Sequence, residues 1–262
     1  MEQHIADIGP YQLALGLVFI LFSGLASIAF SLKLERDLFI GTIRTFVQLF
    51  IMGYVLRFVF ALSNMFVVLG VFGFMIFFAA WTIYGRVKTK AVPFFMPVFF
   101  SMIFSYFLVA YVVTGLVVQV KPWWEPRYFI PLGGMVIGNS MNAIAIALDR
   151  LLGDLKSRRA EIEMCLCLGA DSREASKNIL RNAMQAGMIP SINSMMAVGM
   201  VFIPGMMTGQ ILAGSDPLIA IKYQIVVMVM LSGSTALGTL LSVLLVRKRC
   251  FNKAEQLVIW PE

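Results

Sequence analysis

Asn139 and Asn142 stand three residues apart in the apolar run GNSMNAIAIALDRL, and Asp149 follows Asn142 by two helical turns. Asn193 and Ser194 sit one turn inside Pro190 in a second run, and Arg44 and Gln48 share a helical face at i, i+4 in a third. Polar side chains at bilayer depth are costly to bury, so they face partners or a watery path. Their plainest role is hydrogen bonding between helices, worth roughly 0.6–2 kcal/mol each in a membrane. Taken together they suggest the lining of a path, which Arg44 either joins or leaves to pair with Asp149. Met141, Met206 and Met207, with Met135, Met195, Met196 and Met200, add thioethers to the same runs. Thioethers are soft ligands that suit Cu(I) better than iron. Flexible apolar packing is the simpler use of them.

Bond-breaking chemistry finds no support. There is no nucleophile–base pair, no HExxH and no intramembrane aspartate pair, which disfavours an intramembrane enzyme. Cys165 and Cys167 are two residues apart, so on a helix they point to different sides and make a poor metal pair. The single histidine is His4, and Asp149 is the one acidic residue near the end of a polar run, too little for a hard-cation site. The metal question stays open on these residues. No Gly-x-x-x-x-Gly-Lys-Ser/Thr pattern occurs, so no nucleotide cofactor is expected on this chain.

The elements that must position these groups follow from composition. Of 262 residues, 60% are hydrophobic and 13% charged, and the mean hydropathy is +0.86. That is too little polar residue to cover a water-soluble fold, so the chain reads as an all-α, polytopic membrane bundle forming a single domain over 1–262. Seven apolar runs are expected, at about 11–32, 38–62, 65–85, 92–119, 129–150, 188–213 and 217–246. Pro204 with Gly205 should kink the sixth run, and Gly134-x-x-x-Gly138 and Gly205-x-x-x-Gly209 have the GxxxG spacing that permits close helix approach. The net charge of +7 does not indicate nucleic acid, because the basic residues flank the apolar runs. Sixteen of them, among them Lys33, Arg86, Lys90, Arg158 and Arg247, fall on one side, against Arg57, Lys121, Arg127 and Lys222 on the other. The positive-inside rule then sets the N-terminus outside and the C-terminus in the cytoplasm of a bacterial inner membrane. The start, MEQHIADIGP, lacks the basic region of a signal peptide. Lys121–Tyr128, with its paired Trp, becomes an outer interfacial loop, and the three cysteines give no disulfide framework.

One segment, 155–187, is polar enough to stand outside the bilayer. A helix from Glu161 to Leu168, carrying Glu163, Cys165 and Leu166, should stop at Gly169 in a left-handed cap. After Ala170 a second helix should start with Asp171 as N-cap and Glu174 in the capping-box position. Ala175, Ile179 and Ala183 then form an apolar stripe. An amphipathic loop resting on the membrane surface would satisfy the same pattern.

The segment resembles the coupling loop of ABC-importer permeases, in which Glu is followed by Gly after six residues and by an apolar residue ten further on. Glu163, Gly169 and Ile179 have that spacing; Met164 and Cys165 replace the usual alanines, and Arg181–Asn182 the usual Leu-Pro. Over nearly the whole chain, GGMVIGNSMNAIAIALDRL, MCLCLGADSREA, RTFVQLFIMGYVL and the stretch 189–225 resemble the FetB/YbbM-type permease family. That family is described as the membrane subunit of a bacterial iron-export ABC transporter. Its plant relatives, of STAR and aluminium-sensitive type, are linked to aluminium tolerance and UDP-glucose export. The resemblance implies a permease homodimer driven by separate ATPase subunits, with Glu161, Glu163, Cys165, Leu166, Gly169, Ala170, Asp171, Glu174 and Ile179 as the docking element. ATP would be bound by the partner alone. A permease exporting UDP-glucose or another small solute is the first alternative, and a membrane scaffold or receptor binding a cytoplasmic partner without transport is the second. The direction of transport is not set by the sequence.

Overall fold

The computed structural model describes residues 9–89 and 92–259; His4, Lys90 and both chain ends lie outside the described residues. Among the described residues nine α-helices follow in order: α1 Pro10–Ala29, α2 Glu35–Leu62, α3 Met65–Arg86, α4 Phe95–Tyr111, α5 Pro126–Ser157, α6 Arg159–Cys167, α7 Ser172–Ala197, α8 Gly205–Leu212 and α9 Pro217–Arg249. A π-helical turn, Val112–Val117, prolongs α4. Among the described residues there is no β-strand, only the isolated bridges Val198–Phe202 and Phe251–Leu257. Six helical stretches are long and apolar enough to cross a membrane: α1, α2, α3, α4 with its π-turn, α5 and α9.

The expected sixth run, 188–213, is not one helix. α7 carries Pro190 without ending but stops at Ala197, where Val198 turns extended (φ −64°, ψ 135°). Gly199 is left-handed (φ +86°), its N–H donates to Phe202 O at 3.0 Å, and Pro204 has no N–H to offer before α8 begins at Gly205. Where a kink at Pro204–Gly205 is expected, the backbone leaves helical geometry over 198–204 and is held by a turn, with Val201 N–H donating to Ala197 O at 2.9 Å.

Two compact units result. The first holds α1 and α2 with Leu212–Gly214; the second holds the rest from Asn64 onward. In the first, α1 packs on α2, and the buried Ser27 hydroxyl donates to Glu35 Oε1 (2.9 Å) while accepting the Leu34 N–H (3.0 Å). Phe19, Phe22, Leu49 and Phe50 are exposed there, the surface of helices whose solvent is hydrocarbon.

The second unit is organised by α5, which packs against α3, α7 and α9. Its Val136, Ile144, Leu148, Leu151, Leu152 and Leu155 are fully buried. Gly187 of α7 sets the α5–α7 distance: a Cβ there would lie 2.6 Å from Ala143 O and 2.9 Å from Ala147 Cβ. By contrast Gly138, Gly205 and Gly209 have nothing within 4 Å, so three of the four glycines in the expected GxxxG pairs make no close approach; Gly134 meets only the tip of Met75. In the loop between α4 and α5, Trp123 packs edge-on with Tyr111 (5.4 Å) and Phe129 (5.7 Å), fixing the α4–α5 turn through aromatic contacts.

The ends of these helices are aligned by polar contacts. Arg247 of α9 donates to Ser172 O (3.4 Å) and Ser176 Oγ (3.3 Å) of α7, and Arg249 donates to Pro93 O (3.3 Å) before α4. The Lys88 N–H donates to Asp149 Oδ1 (3.1 Å). Lys88 and Pro93, the last turns of α5, α6, the start of α7 and the end of α9 therefore share one end of the unit.

Candidate functional site

Three helices of the second unit meet at a polar seam. Asn139 Nδ2 of α5 donates to Ser191 Oγ of α7 (3.4 Å), which donates to Thr235 Oγ1 of α9 (3.5 Å). Ser140 Oγ lies 3.3 Å from Ser234 Oγ and 3.4 Å from Thr235 Oγ1. These are long, weak bonds between small side chains, suited to surfaces that slide on one another. Beside the seam is a cavity of about 230 Å³, walled by α5, α7, the 198–204 connection, α8 and α9. Asn139, Ser194 and Met206 line it, as do Gln224 and Met228 of α9. Gln224 is buried and its Oε1 has no hydrogen-bond partner. No charged side chain lines the cavity.

The other expected path residues are elsewhere. Asn142 Oδ1 accepts from Arg86 Nη1 of α3, so α5 divides its two asparagines between different neighbours. Met141, Asn193 and Met207 do not line the cavity, and Asn193 is exposed. Arg44 and Gln48 are exposed on α2, in the first unit, whereas Asp149 belongs to the second and binds Lys88.

The polar element at the other end is folded as its capping residues dictate. α6 ends at Cys167 and Gly169 is left-handed (φ +95°). Asp171 Oδ1 accepts from Glu174 N (2.6 Å) while Glu174 Oε2 accepts from Asp171 N (3.3 Å), a complete capping box. Ile179 and Ala183 are buried and Ala175 is half-buried, so the stripe faces inward. Glu161 and Glu163 are exposed and held by arginines: Arg158 chelates Glu161, and Arg159 Nε donates to Glu163 Oε1 (2.6 Å). The Arg158 hydrogen bond holds the Glu161 carboxyl below the ordinary carboxylate range. Leu166 and Ala170 are half-buried at the turn.

α7 joins the two sites. It leaves the Gly169 turn at Ser172 and continues unbroken to Ser191, Ser194 and Met195 at the cavity wall. Its 26 residues make a rod of about 39 Å.

Sequence reasoning missed a third part, the tail after α9. The Phe251–Leu257 bridge folds it back, burying Cys250, Leu257 and Ile259. Arg159 Nη1 donates to Ile259 O (2.9 Å), and the Ser172 N–H donates to Glu255 Oε2. A groove of about 470 Å³ opens between the 166–171 turn and Ala254–Gln256, with Asp171 and Glu255 on its walls. Burial pushes the Cys250 thiol up to about 12, with Arg247 opposing, so it stays protonated while Cys167 is exposed. The alternation of Leu257 and Ile259 after a basic cluster was the available signal.

Long apolar helices whose exposed sides suit hydrocarbon define a multi-pass membrane protein. The model of the uncharacterised protein family UPF0014 matches residues 10–251, and the chain belongs to that family. It is 34% identical to the "Probable iron export permease protein FetB" of Escherichia coli (strain K12), across 99% of this chain and 98% of that one. It is 35% identical to the "UPF0014 membrane protein YjkA" of Bacillus subtilis (strain 168), across 94% and 97%. The "Protein ALUMINUM SENSITIVE 3" of Arabidopsis thaliana is 32% identical, across 95% and 90%. No solved structure matches the chain.

Proposed function

We propose that the chain is the membrane-spanning permease subunit of an ABC transporter, exporting a metal ion with energy from a separate ATPase. One observation carries this: α7 is a single rod from an exposed, capped turn to the wall of an internal cavity. A partner that seizes the α6–Gly169–α7 element and moves would shift Ser191, Ser194 and Met195 with it, because a helix transmits displacement along its axis. Glu161, Glu163, Cys165, Leu166, Ala170, Asp171 and Glu174 give that element its shape and its exposed face, Ile179 ties it to the bundle, and the tail braces it through Glu255 and Ile259. The non-helical backbone at 198–204 is where the far side of the cavity yields.

On this reading the chain crosses the membrane seven times, α7 and α8 together forming a broken sixth crossing. The aligned ends support it: α9 finishes beside the start of α7, so the chain must traverse the unit between them. The cationic end is cytoplasmic in a bacterial inner membrane, and two copies pair around two ATPase subunits. A metal ion is preferred as cargo to a nucleotide sugar because a cavity of about 230 Å³ falls below the roughly 300–1,000 Å³ of sites for drug-sized organic ligands. The Escherichia coli relative is named for iron; the cargo proposed for this chain is a metal ion.

The test is hydrolysis by the ATPase reconstituted with this chain in nanodiscs. Gly169→Pro, which removes the left-handed turn and its N–H, should leave assembly intact and abolish the permease-dependent part of hydrolysis. Unchanged hydrolysis in an assembled Gly169→Pro complex would remove the coupling element from the account.

A further inference from the structure

The cavity's walls say more about the cargo than its size does. Met135 of α5, Met195 of α7, Met206 of α8 and Met228 of α9 all line it, one thioether from each of four elements. Gln224, 6% exposed, lines the same cavity, and its side-chain oxygen has no hydrogen-bond donor. An acceptor buried without a donor calls for a positive or donating partner; Gln210 Oε1 is also without one but does not line the cavity. Among the described residues no cluster of three or more His, Cys, Asp or Glu exists anywhere that could hold a hard cation.

We propose that this cavity binds a soft, singly charged metal ion of the Cu(I) class through these thioethers, with the Gln224 oxygen as an auxiliary ligand. Thioether sulfur is polarisable and neutral, and it selects soft ions over the harder divalent ones. The desolvation cost of an ion rises with the square of its charge, so a site with no anionic ligand inside a bilayer tolerates one positive charge far better than two. Asn139, on the same wall, adds a neutral carbonyl without changing that balance. The site spans both sides of the non-helical 198–204 backbone, so displacing α7 would separate Met195 from Met206 and release the ion without any ligand changing its protonation.

The inference rests on the permease reading for its purpose but is tested without the ATPase. Purified chain, with its accessible thiols alkylated, is titrated with Ag(I) as the redox-inert probe by calorimetry, alongside Met135→Leu/Met228→Leu, Gln224→Leu and the exposed control Met96→Leu. Leu for Met conserves volume, and circular dichroism checks that each variant keeps its helices. All four proteins carry the same thiols, so their differences report the thioether cavity. The expected result is one Ag(I) bound at least tenfold more weakly by the double variant, a smaller loss in Gln224→Leu, and no change in Met96→Leu. Equal binding by the folded double variant, or displacement of Ag(I) by equimolar Fe(II) under anaerobic conditions, would overturn it. Either result leaves the hydrolysis test of the permease reading untouched.

Discussion

Gly187 shows how one missing methyl group sets the spacing of two helices. Adding it brings Cβ to 2.6 Å from the Ala143 carbonyl, which is backbone and cannot rotate away. Gly187→Ala should therefore cost about 1–3 kcal/mol, read as a lower thermal midpoint in detergent. Gly138→Ala, with nothing within 4 Å, should be neutral or stabilising by up to about 1 kcal/mol. Equal effects of the two would mean that α5 and α7 are not this close. Glu161 offers a residue-scale test against pH. Its carboxyl is held low by Arg158, so the pair's contribution to α6 is present above the ordinary carboxylate range and is lost as pH falls through the lowered value. The protection of α6 amides relative to their intrinsic exchange should stay flat through the neutral range and fall only in acid, and Glu161→Gln should remove that acid step.

At the scale of elements, the turn between α6 and α7 was the most legible part of the chain because capping chemistry is local. Gly169, Asp171 and Glu174 specify where α6 stops and α7 starts without reference to anything distant. Asp171→Ala should lose about 1 kcal/mol from the N-terminus of α7, seen as faster exchange of its first-turn amides. What the sequence hid is what depends on remote partners. Hydropathy alone cannot separate a broken crossing from a kinked one, since Val198–Pro204 is as apolar as the helices around it. GxxxG spacing pointed to Gly138 and Gly205, whereas the close contact uses Gly187, whose role depends on Ala143 lying opposite. Of the path residues, Asn139, Ser194 and Met206 meet at the cavity, but Gln224 went unremarked because a single glutamine in an apolar run has no local signature. The tail was overlooked for the same reason. Glu255→Ala should loosen it from Ser172 and expose the neighbouring backbone to limited proteolysis, while α5 and α9 remain protected; an unchanged digest would deny the brace.

The whole molecule combines helices whose exposed sides suit hydrocarbon with a capped polar element at the cationic end and an uncharged cavity within the second unit. On the proposed reading, force applied at one end would reach the other along α7, which would give a permease subunit a mechanical reason to keep a polar helix pair out of the bilayer. Cys167 sits at the tip of that pair, exposed, while Cys250 is buried and protonated. A bifunctional thiol crosslinker applied to membranes containing this chain and its ATPase should therefore react at Cys167 and spare Cys250. The decisive measurement is that crosslink: the account predicts a Cys167-dependent adduct with the ATPase, formed from the cytoplasmic side and lost in Cys167→Ser. Labelling of Cys167 from the outer side, or no adduct in a complex that still co-purifies, would contradict it.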